Sequence, residues 1–206
     1  WDSTYSYYVT AIINEKETSP PEIENYLEVE RRIYVGTDGD FVSIQDALDT
    51  LDDDVTVHVK SGTYKENINF NGKKIKLKCI EQSDECILDG DGNGTVITFS
   101  ANENTSTVLD GFTITGGMST LDGGGMIIKS SPLIQNCTFF DNTTSGNGGA
   151  LYVYRDASPT IDNCTFNSNS ADGNGGAVYI DDAKPLITNC VFSNNEANGG
   201  GDEGRG

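Results

Sequence analysis

The sequence predicts an all-β protein folded as a parallel β-helix, and a repeat of short segments carries that prediction. Five related segments recur at intervals of 21–27 residues: "LDG" at Leu88, "LDGFTI" at Leu109, "IQNCTF" at Ile134, "IDNCTF" at Ile161 and "ITNCVF" at Ile187. Each segment has one apolar face that a single short strand cannot bury. Stacked as rungs about 4.8 Å apart, such strands bury a continuous interior.

Each repeat also contains a residue that is suited to a bend. The third position of the five segments is Gly90, Gly111, Asn136, Asn163 and Asn189. Glycine and asparagine adopt a left-handed backbone at less cost than other residues. We therefore expect the chain to turn at this position once in every rung.

A second set of segments places further side chains in the interior. "GGMIIKSSP", "GGALYVYRDASP" and "GGAVYIDDAKP" align with one another. Because side chains alternate along a strand, two columns are predicted to point inward. They are Met126, Leu151 and Val178, then Ile128, Val153 and Ile180.

A short helix over residues 43–51 is predicted to cover the N-terminal end of the solenoid, where an open rung would expose sheet edges. Ser43 is suited to the N-cap, with Asp46 as its capping-box partner. His58, the single histidine, follows in a strand, and we expect it to be a solvated residue that points outward. The apolar stripe of the helix has the spacing i, i+3, i+4 and i+7: Ile44, Ala47, Leu48 and Leu51.

The first thirty residues have a different pattern from the rest. Two alternating segments flank a polar turn with Pro20 and Pro21, which predicts two strands. They resemble the last two strands of a fibronectin type III domain; a bare hairpin docked on the next domain is the competing interpretation. We therefore divide the chain into residues 1–30 and a β-helix of residues 31–206. Since it opens on Trp1 and stops in "GGGDEGRG", we expect a fragment whose β-helix is truncated at its C-terminal end.

Composition excludes some partners. Lys and Arg number 13 against 32 Asp and Glu, giving a net charge of −19. Such a charge repels nucleic acid and anionic lipid. No apolar stretch is long enough to span a bilayer, so no membrane insertion is expected within this fragment.

The β-helix segments resemble two known groups. "IYVGTDGDFVSIQDALDTL…VHVKSGTYKENI…ILDG" is similar to the opening of right-handed β-helix proteins of the pectin-lyase-like superfamily. The paired "GGA" and "F-x-x-N" motifs, as in residues 148–151 and 166–169, resemble repeats of polymorphic outer-membrane proteins. The resemblance implies a right-handed solenoid, and this scaffold hosts lyases, hydrolases, esterases and adhesins alike.

The five cysteines contain no CxxC pair, which argues against a zinc site. Three share one inward column, where parallel side chains suit a disulfide poorly, so we expect buried thiols: Cys137, Cys164 and Cys190. Cys79 and Cys86 flank a polar turn and are the better disulfide candidates.

Ca²⁺ is the one cofactor that the sequence suggests. "DGDGNG" places Asp89, Asp91 and Asn93 at alternate positions, as in a calcium loop. However, Ser100 stands at the twelfth position, where such a loop needs a bidentate glutamate. A looser calcium site at the surface is the alternative that remains.

Outward residues of two neighbouring rungs form the candidate ligand-binding site. Tyr152 and Tyr179 should stack outside the core, either gripping a sugar or forming a cross-strand aromatic pair. Charged residues of both signs accompany them: Arg155 and Asp156 on one rung, and Asp181, Asp182 and Lys184 on the next.

These features favour a secreted or cell-surface protein that is adhesive or structural and binds a polysaccharide or cell-surface glycan. The tandem repeats, the fibronectin-like segment and the lack of a matched acid–base set support this hypothesis. The alternative is a polysaccharide lyase or esterase of the pectin-lyase-like superfamily, with active rungs partly beyond Gly206. No catalytic residue is assigned, and the sequence leans against an enzymatic role for this fragment.

Overall fold

The structure, a computed structural model, describes residues 32–80 and 85–199. The chain divides into two compact units, residues 1–31 and 32–206. The fibronectin-like strands predicted for residues 1–30 lie outside the described residues.

The described part of the chain consists of very short strands and one short helix. The first half comprises β1 (Arg32–Val35), α1 (Ile44–Thr50), β2 (Thr56–Val59), β3 (Gly62–Lys65), β4 (Ile68–Asn69), β5 (Lys76–Cys79), β6 (Cys86–Asp89), β7 (Ile97–Phe99), β8 (Val108–Asp110), β9 (Thr113–Thr115) and β10 (Met118–Ser119). The second half comprises β11 (Met126–Ile128), β12 (Leu133–Gln135), β13 (Thr138–Phe140), β14 (Thr143–Thr144), β15 (Leu151–Val153), β16 (Thr160–Asp162), β17 (Thr165–Asn167), β18 (Ser170–Ala171), β19 (Val178–Ile180), β20 (Leu186–Thr188), β21 (Val191–Ser193) and β22 (Glu196–Ala197).

These strands form four sheets around one core. The seven-stranded sheet has the order β1-β2-β5-β8-β12-β16-β20, and the six-stranded sheet has β3-β6-β9-β13-β17-β21. The five-stranded sheet has the order β4-β7-β11-β15-β19, and the four-stranded sheet has β10-β14-β18-β22. Each strand pairs in parallel with its counterpart in the next turn of the chain, as in β12 with β16 and β16 with β20. The predicted parallel β-helix is therefore confirmed.

The register confirms most of the predicted columns and corrects one. Both columns of the "GGA" segments pair as expected between β11, β15 and β19. Leu88 was wrongly aligned: it pairs with Ile114 in the six-stranded sheet. The other four repeat residues do form one column in the seven-stranded sheet: Leu109, Ile134, Ile161 and Ile187.

Four of the five predicted bend residues adopt the left-handed backbone, and the one in the misaligned segment at Leu88 does not. Asn136, Asn163 and Asn189 have φ values of 55°, 51° and 53°, and Gly111 has 80°, all in the left-handed region. Gly90 does not adopt a positive φ, so the bend predicted there is wrong. The "LDG" at Leu88 belongs to the six-stranded sheet, where Gly90 follows the strand without a left-handed backbone.

The predicted helix is present, and residues of later rungs cap both of its ends. Asp46 N–H donates to Ser43 Oγ at 3.1 Å, but the carboxylate at the helix N-terminus is that of Glu66. It accepts from Ser43 Oγ and from the N–H groups of Ile44 and Gln45 at 2.9–3.0 Å. Lys73 Nζ donates to three carbonyls at the other end. The predicted apolar stripe is buried in the core: Ile44, Ala47, Leu48 and Leu51.

Identical side chains stack on one another from rung to rung. The rings of Phe139, Phe166 and Phe192 lie nearly parallel, with centroids 4.9 Å and 4.8 Å apart. The "F-x-x-N" motif adds a buried amide ladder beside them. Asn142 N–H and Nδ2 both donate to Asn169 Oδ1, at 3.1 and 3.0 Å. Repetition in the sequence therefore reflects stacking of like on like.

Four of the five cysteines behave as predicted, and Cys190 is less buried than expected. Cys79 and Cys86 form a disulfide, with their Cα atoms 5.9 Å apart. Cys137 and Cys164 are buried free thiols, and Cys190 is a half-buried one. A hydrogen bond with Cys137, and then burial, raise the pKa of Cys164, and burial raises the pKa of Cys190. These shifts disfavour the reactive thiolate form.

Candidate functional site

Four of the six predicted ligand-binding residues meet on the outer face of the five-stranded sheet, at or just beyond β15 and β19: Tyr152, Arg155, Tyr179 and Asp181. Tyr152 pairs in register with Tyr179 and with Ile127 of the preceding rung. The two tyrosine rings are stacked, with centroids 5.5 Å apart and planes 27° apart. The predicted stacking of these outward aromatics is thus present.

Asp181 connects this ring pair to a cation. Tyr152 hydroxyl donates to Asp181 Oδ2 at 3.1 Å, and Arg155 Nε donates to the same oxygen at 3.1 Å. The Arg155 side chain is 66% exposed, whereas that of Asp181 is 23% exposed. The carboxylate is therefore held by two donors below an exposed guanidinium.

Tyr152 is less accessible than the sequence led us to expect. It points outward from the sheet, yet only 7% of its surface is exposed. Rings of Tyr154 and Tyr179 lie against it at 5.8 and 5.5 Å between centroids, and Asp181 binds its hydroxyl. Neighbouring side chains, not the core, cover it, so Tyr152 positions the site more than it offers a surface.

Tyr154 is the exposed aromatic that the sequence prediction missed. It is 43% exposed, and Lys129 Nζ lies 5.5 Å from its ring centroid. Tyr154 N–H bonds to Ile128 O, and Asp181 N–H bonds to Val153 O one rung later. The alignment of the "GGA" segments could have found it, since it places Tyr154 beside Lys129 and Asp181 in one outward column. We call Tyr152, Tyr154, Arg155, Tyr179 and Asp181 the tyrosine cluster.

The pKa values of two groups in this cluster, Tyr152 and Arg155, are raised. Burial, and then the hydrogen bond to Asp181, raise the pKa of Tyr152 from 10.0 to about 12. The hydrogen bond and charge of Asp181 also raise the pKa of Arg155. Both groups therefore keep their protons at neutral pH: Tyr152 is a neutral donor and Arg155 a fixed cation.

Asp156 and Asp182 occupy bends that stack on one another next to the cluster. Their φ values are 64° and 49°, and Asp156 N–H donates to Asp182 O at 3.3 Å. Both residues are exposed. They add negative charge beside Arg155 rather than entering the contacts of the tyrosine cluster.

The suggested calcium residues form a tight turn. Asp89 Oδ1 accepts from Asp91 N–H at 2.8 Å, and Asp91 Oδ1 pairs with Lys65 Nζ at 2.6 Å. Asn93 N–H closes the turn by donating to Gly90 O. Within residues 32–80 and 85–199 no group of three or more histidine, cysteine and acidic side chains is placed to hold a metal ion. Calcium binding here stays a prediction.

The sequence belongs to a known structural family. Residues 57–204 match the family described as "Right handed beta helix region". The chain is a member of this family. Membership confirms the predicted right-handed solenoid, while the resemblance to outer-membrane repeats stays a prediction. No curated protein matches the chain, and no helix in the described ranges is long and apolar enough to cross a membrane.

Two solved structures resemble this β-helix. A pectin methylesterase from carrot shares 13% identity at a TM-score of 0.44, covering 84% of this chain and 65% of that enzyme. A pectin methylesterase from Aspergillus niger, in deglycosylated form, shares 14% identity at a TM-score of 0.32, covering 91% and 89%. The chain thus spans less than two thirds of the carrot enzyme. At these identities and TM-scores, neither likeness bears on the activity of this chain.

Proposed function

We propose that the chain is part of an exported surface protein that binds a glycan through its tyrosine cluster. The observation that supports this most is an exposed ring, Tyr154, beside a carboxylate and a guanidinium held 3.1 Å apart. A sugar offers an apolar C–H face and a set of hydroxyl groups. An aromatic ring packs against the former, and Asp181 and Arg155 hydrogen-bond the latter.

Export is supported by the disulfide. Cys79 and Cys86 are oxidised to one another, and such bonds persist outside the reducing cytosol. The acidic composition favours solubility in a salty medium. An adhesive or stalk-like role follows from the repeating rungs, because a solenoid presents an extended face to a partner.

A panel of immobilised polysaccharides, followed by calorimetry with the best ligand, tests the proposal. Tyr154→Ala and Arg155→Ala should each weaken binding by roughly tenfold, since each removes a direct contact worth about 1.4 kcal/mol. Tyr152→Phe keeps the ring but removes one of the two donors to Asp181, and should weaken binding less than Arg155→Ala does.

Phe140→Ala is the matched control. Phe140 is also an aromatic that is 43% exposed, but it lies on β13 in the six-stranded sheet. Its removal should leave glycan affinity unchanged. Equal loss of binding in the Phe140 and Tyr154 variants would contradict a site at the tyrosine cluster.

The enzymatic alternative makes a different prediction. A lyase needs a base that takes a proton from the sugar ring, and the raised pKa of Arg155 makes that residue unsuitable. Incubation with polygalacturonate and Ca²⁺, and with methyl-esterified pectin, distinguishes the two. Unsaturated products would establish a lyase, and released methanol an esterase; either result would overturn the purely adhesive function.

A further inference from the structure

The first three strands of the seven-stranded sheet carry a second outward surface, remote in sequence from the tyrosine cluster. Their alternation buries one set of side chains and turns the other outward. The outward residues of β1, β2 and β5 pair in register from strand to strand. We call this surface the basic face: Arg32, Tyr34, Thr56, His58, Lys76 and Lys78.

The basic face contains an aromatic pair. Tyr34 and His58 lie on adjacent strands, with ring centroids 5.5 Å apart and planes 32° apart. Lys60 Nζ lies 5.7 Å from the Tyr34 centroid and pairs with Asp38 at 2.7 Å. His58 was expected to be a solvated surface residue, but it forms a ring platform with Tyr34.

The sign of the charge on this surface is opposite to that of the whole chain. None of its six outward residues is acidic, although the chain carries a net charge of −19. In the column that Lys78 occupies in β5, β8 presents Asp110 and β16 presents Asp162, with the neutral Gln135 of β12 between them. Lys78 Nζ is 3.8 Å from Asp110 Oδ2, which marks the border between the two signs. A polyanion would be attracted to the basic face and repelled by the two aspartates beyond it.

We propose that the basic face binds a polysaccharide that carries sulfate or carboxylate groups. Lys76 and Lys78 offer point charges to such oxyanions, and Arg32 adds a third positive charge to the same face. The Tyr34 and His58 rings supply the apolar platform that a sugar ring needs. Three rungs spaced about 4.8 Å apart make a surface about 10 Å long between the outer strands. This length fits a short stretch of one polysaccharide chain.

Dextran sulfate and dextran test this assignment, because they share one sugar backbone and differ in charge. The full chain should bind dextran sulfate and not dextran. Its affinity for dextran sulfate should fall as NaCl rises from about 50 to about 300 mM, because the shorter Debye length screens the attraction between the charges. The double variant Lys76→Glu/Lys78→Glu should bind at least about 25-fold more weakly, at roughly fivefold for each cation removed, with added repulsion from the two new carboxylates. Tyr34→Ala should also weaken binding, because the ring packs against a sugar. If the attraction between charges were sufficient, this variant would bind as well as the unchanged chain.

The matched control is Lys65→Glu/Lys184→Glu, which changes the net charge equally on exposed residues outside the basic face. It should retain at least most of the affinity. An equal loss in both double variants would show a general charge effect and overturn the site. Equal binding of polyglutamate, or of vesicles rich in phosphatidylserine, would overturn the assignment to a polysaccharide.

This surface and the tyrosine cluster can fail independently. Tyr154→Ala should leave dextran sulfate binding intact, and Lys76→Glu/Lys78→Glu should leave binding of an uncharged glycan to the tyrosine cluster intact. Loss of both activities in either variant would contradict two separate sites.

Discussion

Replacing Asn169 with alanine tests whether the buried amide ladder holds the rungs together. Its Oδ1 accepts from Asn142 N–H at 3.1 Å, and its Nδ2 donates to Phe139 O at 3.0 Å and to Asn195 Oδ1 at 2.9 Å. Asn142 and Asn169 are fully buried, so water cannot replace these partners. An orphaned buried N–H costs about 2 kcal/mol and each further lost bond about 1 kcal/mol.

The free energy of unfolding should therefore fall by about 4 kcal/mol in Asn169→Ala. Urea denaturation followed by far-ultraviolet circular dichroism measures it, with the midpoint and slope compared between variants. Asn174→Ala is the control, because Asn174 is exposed and its Nδ2 reaches Asn147 Oδ1 only at 3.4 Å. It should change stability by about 0.5 kcal/mol or less. Equal midpoints for the two variants would refute the role of the ladder.

Three further predictions concern the helix cap, a thiol and a phenol. Glu66→Ala should lower the free energy of unfolding by about 2 kcal/mol, because it removes the acceptor for the N-terminal N–H groups of α1. The control Asp52→Ala, on the exposed chain beyond the helix, should leave the free energy of unfolding unchanged. With iodoacetamide at pH 8, Cys190 should react before the two buried cysteines of its column but more slowly than the fully exposed thiol of glutathione, because burial raises its pKa. Mass spectrometry of the alkylated peptides measures the order of reaction. Because the pKa of Tyr152 is raised from 10.0 to about 12, the unfolded chain loses this proton at a lower pH than the folded chain does. The free energy of unfolding should therefore fall between pH 10 and pH 12, and it should fall less in Tyr152→Phe.

The repeat region was predictable because its information is local. From β8 onward each rung has apolar residues at the same inward positions, so alignment of Leu109 with Ile134 and Ile161 gives the register directly. Leu88 shows where this fails. Its "LDG" has the same letters as the segment at Leu109, but the six-stranded sheet also contains a strand, β9, that ends in an apolar and a polar residue followed by a glycine. Letters alone do not say which sheet a strand joins.

Contacts between distant segments were not predictable in the same way. Glu66 caps a helix that begins 22 residues earlier, and Lys73 binds carbonyls at its other end. Sequence periodicity identified the helix and Ser43 as its N-cap, but the choice between Asp46 and Glu66 as its carboxylate depends on how the next rung is placed.

The tyrosine cluster lies between these two cases. Alternation gave the outward direction of Tyr152 and Tyr179, and the register confirms it. Direction, however, does not determine exposure: Tyr152 is covered by Tyr154, Tyr179 and Asp181. Whether a side chain binds a ligand or supports one that does is decided by neighbours on the same outer face, and these come from different rungs.

Stacking of like on like also explains why binding surfaces should be sought where the repetition stops. Inside the solenoid, a changed residue loses its stacked partners on two rungs, as Phe166 would lose Phe139 and Phe192. Outside, a changed residue loses at most cross-strand contacts worth a fraction of that energy. The outward columns are therefore free to differ, and they do: Ile127 gives way to Tyr152, and Lys129 to Tyr154 and Asp181. Both proposed binding surfaces lie on such columns, which the stability of the scaffold alone does not account for.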